Sequence, residues 1–522
     1  MNNTTQPGAA PTGPAATSNA PAVKSVLRMG VFTLAMINVS AIVSLRGMPA
    51  ESTYGLSSVF YYIFAAVFFL VPVSLVAAEL TTGWPQKGGV YRWVGEAFGK
   101  KWGFLAIWLQ WIESTIWFPT VLTFAAVSLA FMGPGQRWDE ALAANKWYVL
   151  IVVLCVYWAA TLLNLRGMKT SAGVTKWGTI IGTIIPGAIL ILLGLGYGAG
   201  GNPILLDMSW DKLVPDMSNF NNLVLAASIF LFYAGMEMSA VHVKDVNNPG
   251  RNYPLAILIS AIITVLIFVL GTLAIGFIIP NSQINLVQSL LITYDSYFSF
   301  FGLGWMNWIL ALALAVGVLA QVTAWVGGPS KGLYQVGLAG NLPPVMQKRN
   351  KNNVQMGILL IQGGIVTLLS IMFVIMPSVQ SAYQIISQLT IILYLIMYML
   401  MFASGIYLRY REPNTPRTFR IPGGRTFGMW VVGGLGLLAS LAAFLVSFIP
   451  PNQITVGSST MYVLLLVVGT FIFAGIPFII HAMAKPSWKR PVDPEDAFEP
   501  FGWEKSNGSH SAATPSHSIS HE

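Results

Sequence analysis

Leu223-Val224-Leu225-Ala226-Ala227-Ser228-Ile229-Phe230-Leu231-Phe232-Tyr233-Ala234-Gly235-Met236-Glu237-Met238-Ser239-Ala240-Val241-His242-Val243 is long and apolar enough to cross a membrane, yet its centre carries Gly235 and Glu237. A bilayer core about 30 Å thick needs about 20 apolar residues in a helix. A carboxylate at that depth costs about 3 kcal/mol on insertion scales and several times that on an isolated helix. Glu237 therefore has to face a partner, a cavity or a ligand. A helix broken at Gly235 frees N–H and C=O groups, which is tolerated only where protein or water surrounds them. A charged, broken segment of this kind reads as a substrate site at membrane depth.

The rest of the chain shares that solvent preference. Its 522 residues are 55% hydrophobic and 9% charged, with a mean hydropathy of +0.66. An average soluble protein carries about 25% charged residues, so this composition cannot cover several water-soluble cores. Twelve stretches have spanning length: 26–48, 56–82, 102–132, 147–165, 172–198, 222–243, 254–280, 303–327, 354–376, 381–408, 427–449 and 460–483. The third is long enough to tilt, and the amphipathic stretch Ile284–Phe300 is expected at the membrane surface. The fold class is an all-α membrane protein of twelve helices.

Net charge is +9, and its distribution sets the topology. With both chain ends on one side, all 28 basic residues except Arg46, Arg137, Lys146 and Lys212 fall on that side. The positive-inside rule then makes both termini cytoplasmic, with an inner membrane as the address and lipid as surroundings. The basic balance requires no nucleic-acid partner. A single cysteine, Cys155, excludes a disulfide framework and a thiolate metal site. Residues 1–25 lack the basic start and apolar core of a cleaved signal and read as a disordered cytoplasmic tail. Residues 26–484 form one helical domain. Residues 485–522 form a polar tail with an acidic patch (Asp493, Glu495, Asp496, Glu499) and a Ser-rich end carrying His510, His517 and His521.

A second interruption, Ser44-Leu45-Arg46-Gly47-Met48-Pro49, lies in the first stretch, and both breaks contain Gly-Met. If helices one to five repeat as six to ten in inverted topology, the broken helices one and six face each other near the midplane. Among the 19 acidic residues only Glu79, Glu113 and Glu237 fall within the twelve stretches, making them the candidates for proton coupling. Glu79 ends the second helix, where a charge can snorkel to water or serve a structural partner. Glu113, in the Trp-rich run Trp108–Trp117, reads equally as cavity lining or as part of a buried network. Arg46 offers a fork suited to a carboxylate; the competing readings are an outer helix end or a pair with Glu51. Together Arg46, freed backbone donors and Glu237 would cradle an amino acid, with Tyr233, Trp325, Tyr394 and Tyr398 as nearby aromatics. There is no zinc-type His pair, G-x-S-x-G or phosphate loop, so no metal, cofactor or enzymatic reading is supported. Without a nucleotide-binding domain, gradients are expected to drive movement.

The residues also resemble a known family. Pro72-Val73, Ala77-Ala78-Glu79, Gly88-Gly89-Val90, Trp102-Gly103-Phe104, Tyr233–Glu237, Asn248–Ala256, Trp325 with Gly328–Gly332, and Phe419–Gly424 are similar to the amino acid–polyamine–organocation (APC) superfamily, and within it to the bacterial glutamate/GABA antiporter branch. The resemblance covers nearly all of 26–484. It implies a five-plus-five inverted repeat and exchange of an external amino acid for its decarboxylated product, alongside a decarboxylase and in support of acid resistance. Proton-coupled amino-acid or amine uptake is the alternative. Carried over by position, it places Ser40, Ile42, Val43, Ser44 and Arg46 of helix one, with Tyr233, Ala234, Gly235 and Glu237 of helix six, against substrate. Trp325, Tyr394 and Tyr398 join them from helices eight and ten. Helix one departs from the branch pattern, because Arg46 stands where acidic-aromatic character is usual, which predicts a different preferred side-chain charge or size. The branch also has a C-terminal plug that releases in acid. His510, His517 and His521, with ordinary pKa values of about 6.5, could charge in that role; a solvated tail is the other reading.

Overall fold

The computed structural model describes residues 30–133, 135–215, 227–237, 246–451, 457–491 and 497–505, which build an all-helical protein. The first apolar stretch is two pieces, α1 (Val31–Ile42) and α2 (Met48–Ser52). Then come α3 (Gly55–Gly83), the short α4 (Val90–Phe98), α5 (Lys100–Ala130), α6 (Gln136–Ala143), α7 (Lys146–Leu165) and α8 (Gly173–Ala199). The sixth stretch is described as α9 (Ser228–Tyr233) and the turn after it. The second half continues with α10 (Gly250–Ile278), α11 (Ser289–Phe300), α12 (Gly304–Leu338), α13 (Met356–Ile375), α14 (Val379–Arg411), α15 (Phe427–Val446) and α16 (Ser459–Ala482). Ten helices among the described residues are long and apolar enough to span a membrane. With the two interrupted ones in first and sixth place, they account for the twelve stretches.

Helix α5 is the axis of the bundle, packed by α7, α12, α14 and α16. Its most apolar window is 94% buried, against 11% for the lipid-type surface of α16. At 31 residues it is about 46 Å long, so it crosses a bilayer at a tilt. Helices α3 and α8 each widen into a π-turn, Ala66–Leu70 and Ile180–Ile184, just before Pro72 and Pro186. A proline lacks an N–H and crowds the carbonyl four residues back, and a π-turn accommodates that without ending the helix. Helix α11, expected at the surface, packs one face inward: Tyr294 donates to the Pro186 carbonyl at 2.7 Å and Tyr297 to the Ala274 carbonyl at 2.6 Å. Phenol hydroxyls in apolar surroundings need such acceptors, and they anchor the helix as a cap on the bundle.

Cross-contacts sort the loops into two faces. On one, Arg417 lies over Trp84, Asn350 donates to the Leu165 carbonyl and Arg490 to the Pro344 carbonyl. On the other, Asn281 reaches the Thr53 carbonyl, Gln288 the Glu140 carbonyl and Lys146 the Met376 carbonyl. The first face holds the FRIPGG segment, pinned by one buried ion cluster. Glu79 accepts from Arg409 Nε at 2.5 Å and Nη2 at 2.7 Å, and from the Ile421 N–H at 2.8 Å. Arg417 Nη1 stands 3.5 Å from the same carboxylate, and Arg409 Nη1 caps the Gly424 and Arg425 carbonyls. Glu79 thus ties α3 to α14 and the loop beyond it.

The same face carries part of the C-terminal tail. Phe501 is fully buried against Gly95 of α4. Arg92 donates to the Glu499 carbonyl at 2.8 Å and lies over the Phe498 and Phe501 rings. Gly502 N–H donates to Glu96 at 2.9 Å, and Lys100 pairs with Glu504 at 2.5 Å. Burial holds the Arg92 guanidinium below its ordinary pKa and Glu96 above its own. Residues 1–25, most of the acidic patch, and His510, His517 and His521 lie outside the described residues.

Removing one partner of a buried pair strands the other charge, at about 3–5 kcal/mol. Glu79→Gln should therefore lower the thermal midpoint of the detergent-purified protein sharply. A midpoint equal to wild type would remove this cluster from the supports of the fold.

Candidate functional site

Both breaks come from residues that cannot continue a helix in their surroundings. In the first, Val43 (φ −64°, ψ 119°) and Ser44 (φ −138°, ψ 119°) are extended, and the chain resumes through the turn Leu45–Gly47 into α2. In the sixth, Ala234 is extended and Gly235 has φ +110°, a conformation that glycine adopts without a steric penalty. Gly47 is needed for a different reason: the Phe232 ring occupies the space its Cβ would take. The two breaks therefore touch, Gly47 of one against Phe232 of the other.

The freed polar groups of the sixth break are satisfied from α14 and α5. Gly235 N–H donates to the Tyr398 hydroxyl at 2.9 Å. That hydroxyl donates to Glu237 Oε2 at 2.6 Å, while Tyr394 donates to Glu237 Oε1 at 2.6 Å and Gln110 Nε2 to the same oxygen at 3.0 Å. A carboxylate buried with three donors is a stable arrangement without a cation. Glu237 is here a knot tying the break to two continuous helices.

On one side of this knot lies a small cavity of about 30 Å³, lined by Ile42, Ser44, Arg46, Glu113, Trp117, Leu231, Phe232, Ala234, Gln321, Trp325 and Tyr394. On the other, a vestibule that includes Thr81, Trp84, Lys87, Gln110, Glu237 and Lys331 leads to the face that carries the C-terminal segment. The Gln110–Glu237–Tyr394 bonds are the floor between the two. Inside the cavity Arg46 is 4% exposed, donates Nη1 to the Tyr383 hydroxyl at 2.9 Å, and lies over the Trp117 and Phe232 rings at 5.2 and 5.5 Å. Among the described residues its Nε has no acceptor, and Glu113 Oε1 has no donor. The Trp117 and Trp325 rings, 5.6 Å apart, form an apolar wall beside them. The site thus offers one guanidinium and one carboxyl group with open hydrogen-bonding capacity beside an aromatic wall.

Of the residues expected from sequence, Ile42, Ser44, Arg46, Ala234, Trp325 and Tyr394 line the cavity. Val43 is buried beside it and Gly235 packs under Trp325. Tyr233 turns away, donating to the Tyr62 carbonyl at 3.2 Å, and Tyr398 braces the break. Glu237 faces the vestibule and Glu79 the FRIPGG segment. The Ser40 side chain is outside the described residues. Arg46 reaches Tyr383, whereas Glu51 accepts from Ser228. Sequence reading missed Trp117, Gln321, Phe232 and Leu231 as lining. Trp117 and Gln321 stand one helical turn from Glu113 and Trp325, so i, i+4 spacing could have found them; nothing in the sequence marks Tyr383.

Gly47→Ala should drive its methyl into the Phe232 ring and abolish transport, and Gly47→Ala with Phe232→Leu should recover part of it. A single variant with wild-type rates would show that the breaks need not touch.

Residues 29–473 match the family model described as amino acid permease. An uncharacterized transporter of Legionella pneumophila is 40% identical over 451 residues, 86% of this chain and 96% of the relative. A glutamate/gamma-aminobutyrate antiporter of Lactococcus lactis is 32% identical over 461 residues, 87% of this chain and 90% of the relative. A probable agmatine/putrescine antiporter of Lactococcus lactis is 25% identical over 373 residues, covering 71% and 77%. With two broken helices enclosing a charged cavity and a match over most of its length, the chain is a multi-pass membrane transporter, not an enzyme, and belongs to the amino acid permease family.

Proposed function

We propose that this transporter is an antiporter that exchanges an external amino acid of the glutamate type for an internal decarboxylation product such as GABA. The observation that carries the reading is the presence of Arg46 and Glu113 in the lining of one cavity, each with an open hydrogen-bonding atom among the described residues. Glutamate and GABA share a carboxylate at one end of a short aliphatic chain and an ammonium at the other. Arg46 suits the carboxylate, Glu113 the ammonium, and the Trp117–Trp325 wall the methylenes between. A diamine would bring a second positive charge to Arg46, which disfavours the agmatine/putrescine pair named for one relative. The glutamate/gamma-aminobutyrate relatives support the same choice. If a cytoplasmic decarboxylase consumes a proton for each amino acid imported, the exchange protects against acid.

The proposed orientation puts both chain ends and the C-terminal segment in the cytoplasm of a cell with this protein in its inner membrane. The described loops agree with the positive-inside rule: Lys87, Arg92, Lys100, Arg166 and Lys348 lie on the tail's face, and Arg137, Lys146 and Lys212 on the other. The five-plus-five inverted repeat fits breaks at places one and six. Proton-coupled uptake remains the second reading, supported by Glu113.

Counterflow in proteoliposomes tests exchange: labelled glutamate should accumulate only in vesicles loaded with trans glutamate or GABA. Equal uptake into empty vesicles under a pH gradient would favour the second reading. Losing one charge-assisted contact weakens binding by about 1.5–3 kcal/mol, so Arg46→Gln and Glu113→Gln should each raise the half-saturating glutamate concentration about 10–100-fold. Unchanged values would move the substrate elsewhere.

The docked segment at Phe498–Lys505 is proposed to restrain α4 beside the vestibule. Deleting 485–522 should raise exchange at neutral pH, measured against the full chain at equal reconstituted amounts. An unchanged pH profile would leave the segment a packing role only.

A further inference from the structure

Glu51 is an acid that the exchange reading leaves unused. It lies in α2 and is fully buried. Its Oε1 accepts from the Ser228 hydroxyl at the start of α9, and its Oε2 has no partner among the described residues. It therefore joins the two broken helices on the side of the cavity away from the C-terminal segment, two residues from the surface contact between Thr53 and Asn281.

Among the described residues, the groups around Glu51 offer no positive charge. Tyr62 of α3 and Tyr233 of α9 face it, with their hydroxyls engaged by Thr272 and by the Tyr62 carbonyl. From α11, Tyr294 turns to the Pro186 carbonyl, Tyr297 to the Ala274 carbonyl and Asp295 to Asn307. Arg46, on the turn preceding α2, points to Tyr383. No Lys, Arg or His forms an ion pair with Glu51 among the described residues. An ionised carboxylate inside a membrane bundle, with one neutral donor and one bare oxygen, costs several kcal/mol after relaxation. A neutral carboxyl avoids that cost. Contrast Glu79, which meets two guanidinium groups, and Glu237, which accepts from three donors.

We infer that Glu51 is a proton-binding site linked to opening of the cavity on the Thr53–Asn281 side. With that side closed, the carboxyl holds its proton between α2 and α9. Opening separates Glu51 from Ser228 and admits water, the O–H bond breaks and the proton passes to water. Closing takes a proton back. Acid on that side therefore favours the closed arrangement, and because the proton is released to and taken back from the same side, the cycle moves no net proton across the membrane. The site depends on the broken-helix architecture and not on which amino acid is exchanged.

The test is exchange in substrate-loaded proteoliposomes as a function of external pH, after wild type at one pH has established that exchange occurs. Glu51→Gln, a permanently neutral mimic of the protonated acid, should lose the external pH dependence that wild type shows. Ser228→Ala, which removes the donor that stabilises the ionised form, should keep the dependence and move its midpoint to higher pH. A Glu51→Gln profile parallel to wild type, or a Ser228→Ala midpoint that stays in place or falls, overturns the assignment. If Glu51→Gln does not transport, thermal midpoints in detergent decide. The wild-type midpoint should fall relative to the variant as pH rises from 6 to 8 (about two units around neutrality), and parallel curves overturn the proposal.

Discussion

A helix that stops inside a bilayer leaves backbone groups that no water can reach, and everything around the cavity follows from how those groups are satisfied. Gly235 N–H finds the Tyr398 hydroxyl, and that hydroxyl is itself fixed by Glu237. Glu237 is held in turn by Tyr394 and Gln110, so two continuous helices, α14 and α5, define where the broken one ends. Without that knot the break would have no fixed geometry, and Ala234 and Phe232 would not meet Arg46 across the cavity. The constraint is severe because an unsatisfied group in hydrocarbon costs several kcal/mol, comparable with the whole stability margin of a protein.

Four buried carboxylates show how differently the same functional group can be used. Glu79 meets two guanidinium groups and a backbone N–H, and fastens a loop. Glu237 meets three neutral donors and fastens a break. Glu113 keeps one oxygen open toward a cavity that also contains Arg46. Glu51 has one hydroxyl and nothing else among the described residues. The progression from saturated to bare tracks the move from architecture to chemistry. A charge whose partners are complete has little left to offer a ligand, whereas an open donor or acceptor in a dry site binds strongly what completes it.

Much of this was legible in the chain. The apolar run lengths predicted the spans, Gly-Met marked both breaks, and the basic residues sorted the loops into two faces. Less legible was the division of labour within the sixth break. Glu237 reads in sequence as a substrate contact, and the structure adds that its side chain faces the vestibule, where Tyr394, Tyr398 and Gln110 surround it. Glu51 reads in sequence only as a partner for Arg46, because the hydrophobic run ends before Pro49, although the helix continues through Ser52. Tyr383, which orients Arg46 from 337 residues away, carries no local sign of its role.

Composition and patterning along the chain were enough for the solvent, the number and order of the spanning segments, and the two places where they break. Those properties are set by local composition, because transfer into a bilayer is nearly a sum over neighbouring residues. Which charges remain open depends on how the helices pack. Whether Arg46 meets Glu51 or Tyr383, or Glu237 a ligand or two tyrosines, depends on helices distant in the chain, and a hydrogen bond is directional and short-ranged.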